Sequence, residues 1–142
     1  MSYAGDVTCK DCWDVLRDSS DAQLIDVRTA AEWAFVGLPV LKELGKEILL
    51  IEWQSYPTME INTGFVSQVS SALEQVGAAG DVPLYTLCRS GARSISAAQA
   101  LTAAGYSTVY NVLGGFEGNA NELGQRGSVS GWKYDNLPWR QG

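Results

Sequence analysis

Two hydrophobic patterns alternate along the chain. Short, nearly unbroken apolar runs at Ala22-Gln23-Leu24-Ile25-Asp26-Val27, Ile48 to Trp53, Val82 to Leu87 and Thr108 to Val112 predict buried strands. Between them, apolar residues recur at helical spacing. Thr8 is placed to cap a helix through Cys12, Trp13, Val15 and Leu16, with Asp11 at the favourable end of its dipole. Thr29 similarly precedes a short helix holding Glu32 and Trp33. Phe65, Val66, Val69, Leu73 and Val76 form the clearest amphipathic stripe, behind Asn62/Thr63 and ahead of Gly77 and Gly80. An alanine-rich helix is expected from about residue 92 to 104, closed by Gly105.

Strands alternating with helices imply an α/β fold: a mainly parallel central sheet with helices on both faces. Such sheets place ligands beyond the carboxyl ends of their strands, where Asp26-Val27-Arg28 and Cys88 to Arg93 lie. From Glu117 onward glycines multiply and aliphatic residues thin out, yet Trp132, Trp139 and Leu137-Pro138 predict that this tail lies against the domain. A length of 142 residues is consistent with one domain.

Composition narrows the chemistry. A net charge of −6 without a block of Lys or Arg argues against nucleic acid as a partner. No apolar run approaches the ~20 residues that span a bilayer, and Met1 to Asp6 has no basic-then-apolar leader pattern. A cytoplasmic protein without membrane contact is the expectation. The absence of histidine excludes Ser-His-Asp or Cys-His catalysis within the chain and removes the commonest neutral metal ligand. Three cysteines cannot all pair, so at least one free thiol needs an explanation.

Cys88 supplies one. It follows a predicted buried strand and opens the loop Cys88-Arg89-Ser90-Gly91-Ala92-Arg93-Ser94 ahead of a helix. Amide N–H groups of a tight loop and a first helical turn form an anion-binding concavity, which stabilises negative charge on a sulfur placed there. Gly91 permits a backbone conformation that a Cβ would oppose. Arg89 and Arg93, with no acid between Thr86 and Ala98, make this a local cationic spot on an acidic chain.

These segments resemble the rhodanese family of sulfurtransferases, in its single-domain form. The resemblance rests on Leu24-Ile25-Asp26-Val27-Arg28 with Glu32-Trp33, on the loop from Cys88 to Ser94, and on Asn111-Val112-Leu113-Gly114-Gly115-Phe116 with Gly118. It implies a three-layer rhodanese-like domain over residues 1–118, with 119–142 as a C-terminal extension packed on it. By the same resemblance Cys88 is the persulfide-forming nucleophile, and the backbone of Arg89, Ser90, Gly91, Ala92, Arg93 and Ser94 cradles the outer sulfur. Arg89 and Arg93 would recognise the anion, while Asp26 and Arg28 would support the site from beneath. The implied donor is a small sulfur anion such as thiosulfate, the acceptor a thiol, cyanide or a protein, and no cofactor or metal is required. Thiolate attack on sulfane sulfur needs no histidine.

Rival readings use the same residues. A non-turnover sulfur carrier or sensing module is one. Phosphatases and arsenate reductases of related architecture have a Cys-x5-Arg loop; here residue 94 is Ser and Arg93 follows Cys88 after four residues, a smaller loop suited to one sulfur atom. Cys9 and Cys12 form a Cys-x-x-Cys without a second pair, so a structural role is expected for both. Asp26 is also expected to brace its loop, with Arg28 paired to Glu32 at i+4. Trp53, Trp132 and Trp139 either line the mouth of the site or seal apolar surface, and Arg126 and Arg140 are candidate accessory anion contacts.

Overall fold

Both threonines expected as caps act as caps. The Thr8 hydroxyl accepts the Asp11 backbone N–H at 3.1 Å at the start of α1 (Cys9–Asp18). Thr29 and Glu32 form a reciprocal capping box on α2 (Ala30–Phe35). The later helices are α3 (Phe65–Gln75) and α4 (Ala92–Ala103). This computed structural model describes residues 3–78 and 80–141. Met1 and Ser2, which open the segment expected to carry no leader, and Gly142, the last tail glycine, lie outside the described residues.

Among the described residues the strands are β1 (Gly5–Val7), β2 (Gln23–Asp26), β3 (Leu38–Pro39), β4 (Leu49–Leu50), β5 (Gln54–Ser55), β6 (Glu60–Ile61), β7 (Leu84–Leu87), β8 (Val109–Val112) and β9 (Trp139–Arg140). Five form the central sheet in the order β1-β8-β7-β2-β4, and every pairing in it is parallel. All four residues of β2 and of β7 are buried, as expected for strands covered on both faces. The run expected over Ile48 to Trp53 is regular only at β4, although Ile51 N and Trp53 N still donate to the carbonyls of Asp26 (3.1 Å) and Val27 (3.0 Å).

Alternation along the strands sorts side chains into two layers. Ile25, Val27, Leu84 and Val109 pack with Phe65, Val69 and Leu73 of α3 and with Ala97, Ala98 and Leu101 of α4. Leu24, Tyr85, Leu87 and Val112 face the other way, onto Cys9, Cys12 and Leu16 of α1 and onto Phe116 and Trp132. Each fully buried Leu contributes about 1.5–3 kcal/mol, so both layers hold the sheet. Thr86, Cys88 and Asn111 share the α4 side by the same alternation.

Beyond Phe116 the chain returns across the domain. Trp132 is fully buried with its indole N–H donating to the Pro138 carbonyl at 2.8 Å, and β9 pairs antiparallel with β3. Trp132 therefore seals apolar surface, as does Trp53, whose ring meets Phe65 edge-on at 5.2 Å. No helix among the described residues is long and apolar enough to cross a membrane.

Candidate active site

β7 carries Cys88 to the carboxyl end of the sheet, where the chain leaves its strand and re-enters helix at Ala92. Gly91 occupies the N-cap of α4 with φ 127°, and nothing lies within 4 Å of where its Cβ would be. Its conformation, not crowding, requires glycine. In that conformation the Gly91 N–H points at the Cys88 Sγ, 3.0 Å away. The sulfur also lies 3.2 Å from Ser94 Oγ, and both residues are buried.

Ser94 is fixed from several sides. Its backbone carbonyl accepts the Thr86 hydroxyl at 2.9 Å, while its own hydroxyl contacts Gly91 O at 3.2 Å and the Asn111 side-chain oxygen. The loop backbone is held from below: Cys88 O accepts from Phe116 N at 2.8 Å, and Arg89 O accepts from Glu117 N at 3.0 Å and Gly118 N at 3.1 Å. These bonds leave the Arg89 side chain exposed at the surface. Ser90 is half-buried and Ala92 exposed.

Arg93 belongs to the first turn of α4 and is half-buried. Its two terminal nitrogens donate to the two Glu32 carboxylate oxygens at 2.6 and 2.9 Å. Burial pushes the Glu32 carboxyl up, but the bonds and charge of Arg93, the Thr29 backbone N–H and the charge of Arg28 outweigh it and hold Glu32 below the usual range. The expected Arg28–Glu32 pair is therefore corrected. Arg28 lies before the Thr29 cap, outside α2, so helical i+4 geometry does not apply to it.

Arg28 turns back onto Asp26. Its Nε and Nη2 donate to the carboxylate at 2.9 and 2.7 Å, Nη2 also donates to Gly37 O at 2.8 Å, and the guanidinium sits 4.3 Å over the Phe116 ring. Asp26 further accepts the Arg28 backbone N–H at 3.1 Å, so the carboxylate braces this corner. Both side chains have no exposed surface. Removing either would strand a buried charge, which costs about 3–5 kcal/mol.

A cleft of about 630 Å³ opens beside the loop, lined by Arg89 and Arg93 together with Thr29, Glu32, Phe35, Tyr56, Met59 and Glu117. Arg126 donates to Gly118 O at 2.7 Å and serves the tail, while Arg140 lines a separate hollow near Leu38 to Leu41. Cys9 and Cys12 are buried free thiols. The Cys9 S–H faces the carbonyls of Leu113 (3.6 Å) and Gly115 (3.5 Å), and burial, with the charge of Asp135, pushes its pKa up to about 12. Burial likewise raises Cys12, with Cys9 adding to it. Among the described residues no group of three or more His, Cys, Asp or Glu side chains is arranged to hold a metal ion.

The motif reading did not assign Glu32 to Arg93, nor Asn111 and Thr86 to Ser94. Glu32 and Arg93 are 61 residues apart and Ser94 and Asn111 are 17 apart, so the fold must bring them together, while Thr86 reaches Ser94 only eight residues on, across the loop itself.

The chain matches the STR4 middle domain over residues 4–142. It is 38% identical over 128 residues to uncharacterized protein RC0915 of Rickettsia conorii (strain ATCC VR-613 / Malish 7), covering 90% of each chain. The crystal structure of Rv0390 from M. tuberculosis superposes with a TM-score of 0.88 at 44% identity, covering 99% of this chain and all of that one. The solution structure of the 30 kDa polysulfide-sulfur transferase homodimer from Wolinella succinogenes is similar in fold, with a TM-score of 0.57 at 21% identity over 96% of this chain and 78% of that one. With its five-stranded parallel sheet between helical layers, the chain has the rhodanese-like α/β fold and belongs to the STR4 middle-domain family.

Proposed function

We propose that the protein is a sulfurtransferase of the single-domain rhodanese type that carries sulfane sulfur on Cys88, with residues 119–142 as an extension of the same domain. The observation that carries this reading is the Gly91 N–H aimed at the Cys88 Sγ at the end of a parallel strand. Sulfur transfer by a thiolate needs stabilised negative charge on sulfur and an accessible anion site. The cationic Arg89 at the surface and the adjacent cleft are suited to bring a small sulfur anion to the loop.

In this mechanism the Cys88 thiolate attacks the outer sulfur of thiosulfate. The sulfur–sulfur bond of the donor breaks, sulfite leaves with the electron pair, and Cys88 retains the outer sulfur as a persulfide anion. A thiolate, cyanide or protein thiol then attacks that sulfur and regenerates the Cys88 thiolate. Backbone amides from Arg89 to Ser94 stabilise the terminal sulfur between the two steps. Arg93, already engaged by Glu32, holds the wall of the cleft and leaves Arg89 as the cation that meets the donor.

Thiocyanate formation from thiosulfate and cyanide tests turnover. Steady production that Cys88→Ser abolishes is expected of an enzyme in a cytoplasmic thiol pool. Loading of Cys88 without turnover would instead favour a sulfur carrier, and hydrolysis of a phosphate ester with no sulfur uptake would favour the phosphatase reading.

A further inference from the structure

Ser94 has one hydroxyl proton and three neighbours that could take it. They are Cys88 Sγ at 3.2 Å, Gly91 O at 3.2 Å and the Asn111 side-chain oxygen. Cys88, Ser94 and Asn111 are at most 1% exposed, so water does not settle the competition and the protein's own donors must. The deciding group lies one strand further out. Asp6, exposed on β1, sits in register with Asn111, and its carboxylate accepts the Asn111 Nδ2 at 3.0 Å.

A carboxylate can only accept, so Asp6 fixes which end of the Asn111 amide faces inward. The amide nitrogen turns to Asp6, and the oxygen turns to Ser94 and claims its proton. The Ser94 lone pairs are then left to accept the Cys88 S–H, while Gly91 N–H donates to the sulfur. Ionisation of Cys88 removes that S–H. For Ser94 to donate to the thiolate it must abandon the Asn111 oxygen, a buried acceptor that would go unpaired. A flipped amide would free the hydroxyl, but it would set the Asn111 oxygen against the Asp6 carboxylate.

We propose that Asp6 is a positioning residue for Cys88: acting through Asn111, it keeps the Ser94 hydroxyl from donating to the sulfur, so that the loop amides and not Ser94 meet the negative charge there. This rests on Cys88 being the nucleophile of the sulfurtransferase reading. The charged group that bears on the sulfur is Arg93 of α4, paired to Glu32 of α2; Arg89 follows Cys88 in the loop, and the Asp26–Arg28 pair stands at the end of β2. Asp6 itself is faced by Tyr3, whose hydroxyl donates to it at 2.8 Å. Among the described residues none of these groups hydrogen-bonds the Ser94 hydroxyl, and the Asp6 carboxylate is what holds the Asn111 amide nitrogen.

The test is the pH profile of Cys88 alkylation by iodoacetamide, read by mass spectrometry in the full chain. Asp6→Asn is nearly isosteric and exposed, and it lets the Asn111 amide flip. It should move the profile to lower pH and speed alkylation roughly tenfold on the acid side of the midpoint, equivalent to one pH unit. In a Ser94→Ala background the same substitution should change nothing. An unmoved profile overturns the proposal. So does a shift that persists without Ser94, because that would be the removed charge acting at a distance. Sulfur uptake from thiosulfate, followed in parallel, judges the sulfurtransferase reading separately, since iodoacetamide requires no sulfur chemistry.

Discussion

Gly115 and Cys88 meet backbone to backbone. A Cβ built on Gly115 would stand 2.4 Å from the Cys88 carbonyl oxygen, and the glycine has φ 62°. The turn after β8 therefore presses on the loop that carries the sulfur. Gly115→Ala should force the two apart, lowering stability by about 1–3 kcal/mol and slowing sulfur uptake at Cys88. Gly124→Ala is the control: φ is also positive there, at 78°, but nothing lies within 4 Å of the added methyl. It should cost about 1–2 kcal/mol of backbone strain and leave sulfur uptake unchanged. Urea denaturation and a single-turnover uptake assay compare the two.

Glu32 and Arg93 tie α2 to α4 across the cleft mouth. Glu32 is held below the usual carboxylate range because the Arg93 bonds and charge overcome the upward push of burial. A lowered folded-state value means the pair contributes fully above the ordinary glutamate value and loses its contribution as pH falls through the folded one. Wild-type protein should exceed Glu32→Gln in urea midpoint by a constant margin from neutral pH down to the onset of glutamate titration. The two should then converge in stronger acid. A margin that grew on acidification would contradict the pairing.

The three thiols should separate by reactivity. Cys9, pushed up to about 12, and Cys12, also raised by burial, are poor nucleophiles at pH 8. Iodoacetamide on the native protein is expected to modify Cys88 first, with Cys9 and Cys12 reacting only after denaturation. Peptide mapping across a urea series checks the order.

Trp132 tests how firmly the tail belongs to the core. It is fully buried, meets Trp13 edge-on at 5.9 Å and donates to Pro138 O. Trp132→Ala should lose about 3–5 kcal/mol of stability, measured by urea unfolding, because the cavity lies inside the α1 layer. A loss no larger than that of an exposed residue would show the tail to be dispensable.

Local signals made much of this fold legible in advance. Thr8 and Thr29 each need only the following turn to act as caps, and Leu24-Ile25 and Leu84 to Leu87 carry the apolar density of doubly covered strands. What escaped was non-local. β1 has a single aliphatic side chain and becomes a strand only because β8 offers an edge; β3 and β9 lie a hundred residues apart by number. An i+4 pair from Arg28 to Glu32 presupposes that α2 includes Arg28, whereas the helix begins at Ala30 and the guanidinium folds back onto Asp26. At the site, the loop from Cys88 to Ser94 was readable as a unit, but the Asn111 and Asp6 side chains behind it depend on strand register.

Mass spectrometry of thiosulfate-treated protein tests the central claim most directly. The account predicts a gain of one sulfur atom on the peptide containing Cys88, removed by cyanide and absent in Cys88→Ser. A gain confined to Cys9 or Cys12, or one that survives in Cys88→Ser, would contradict it.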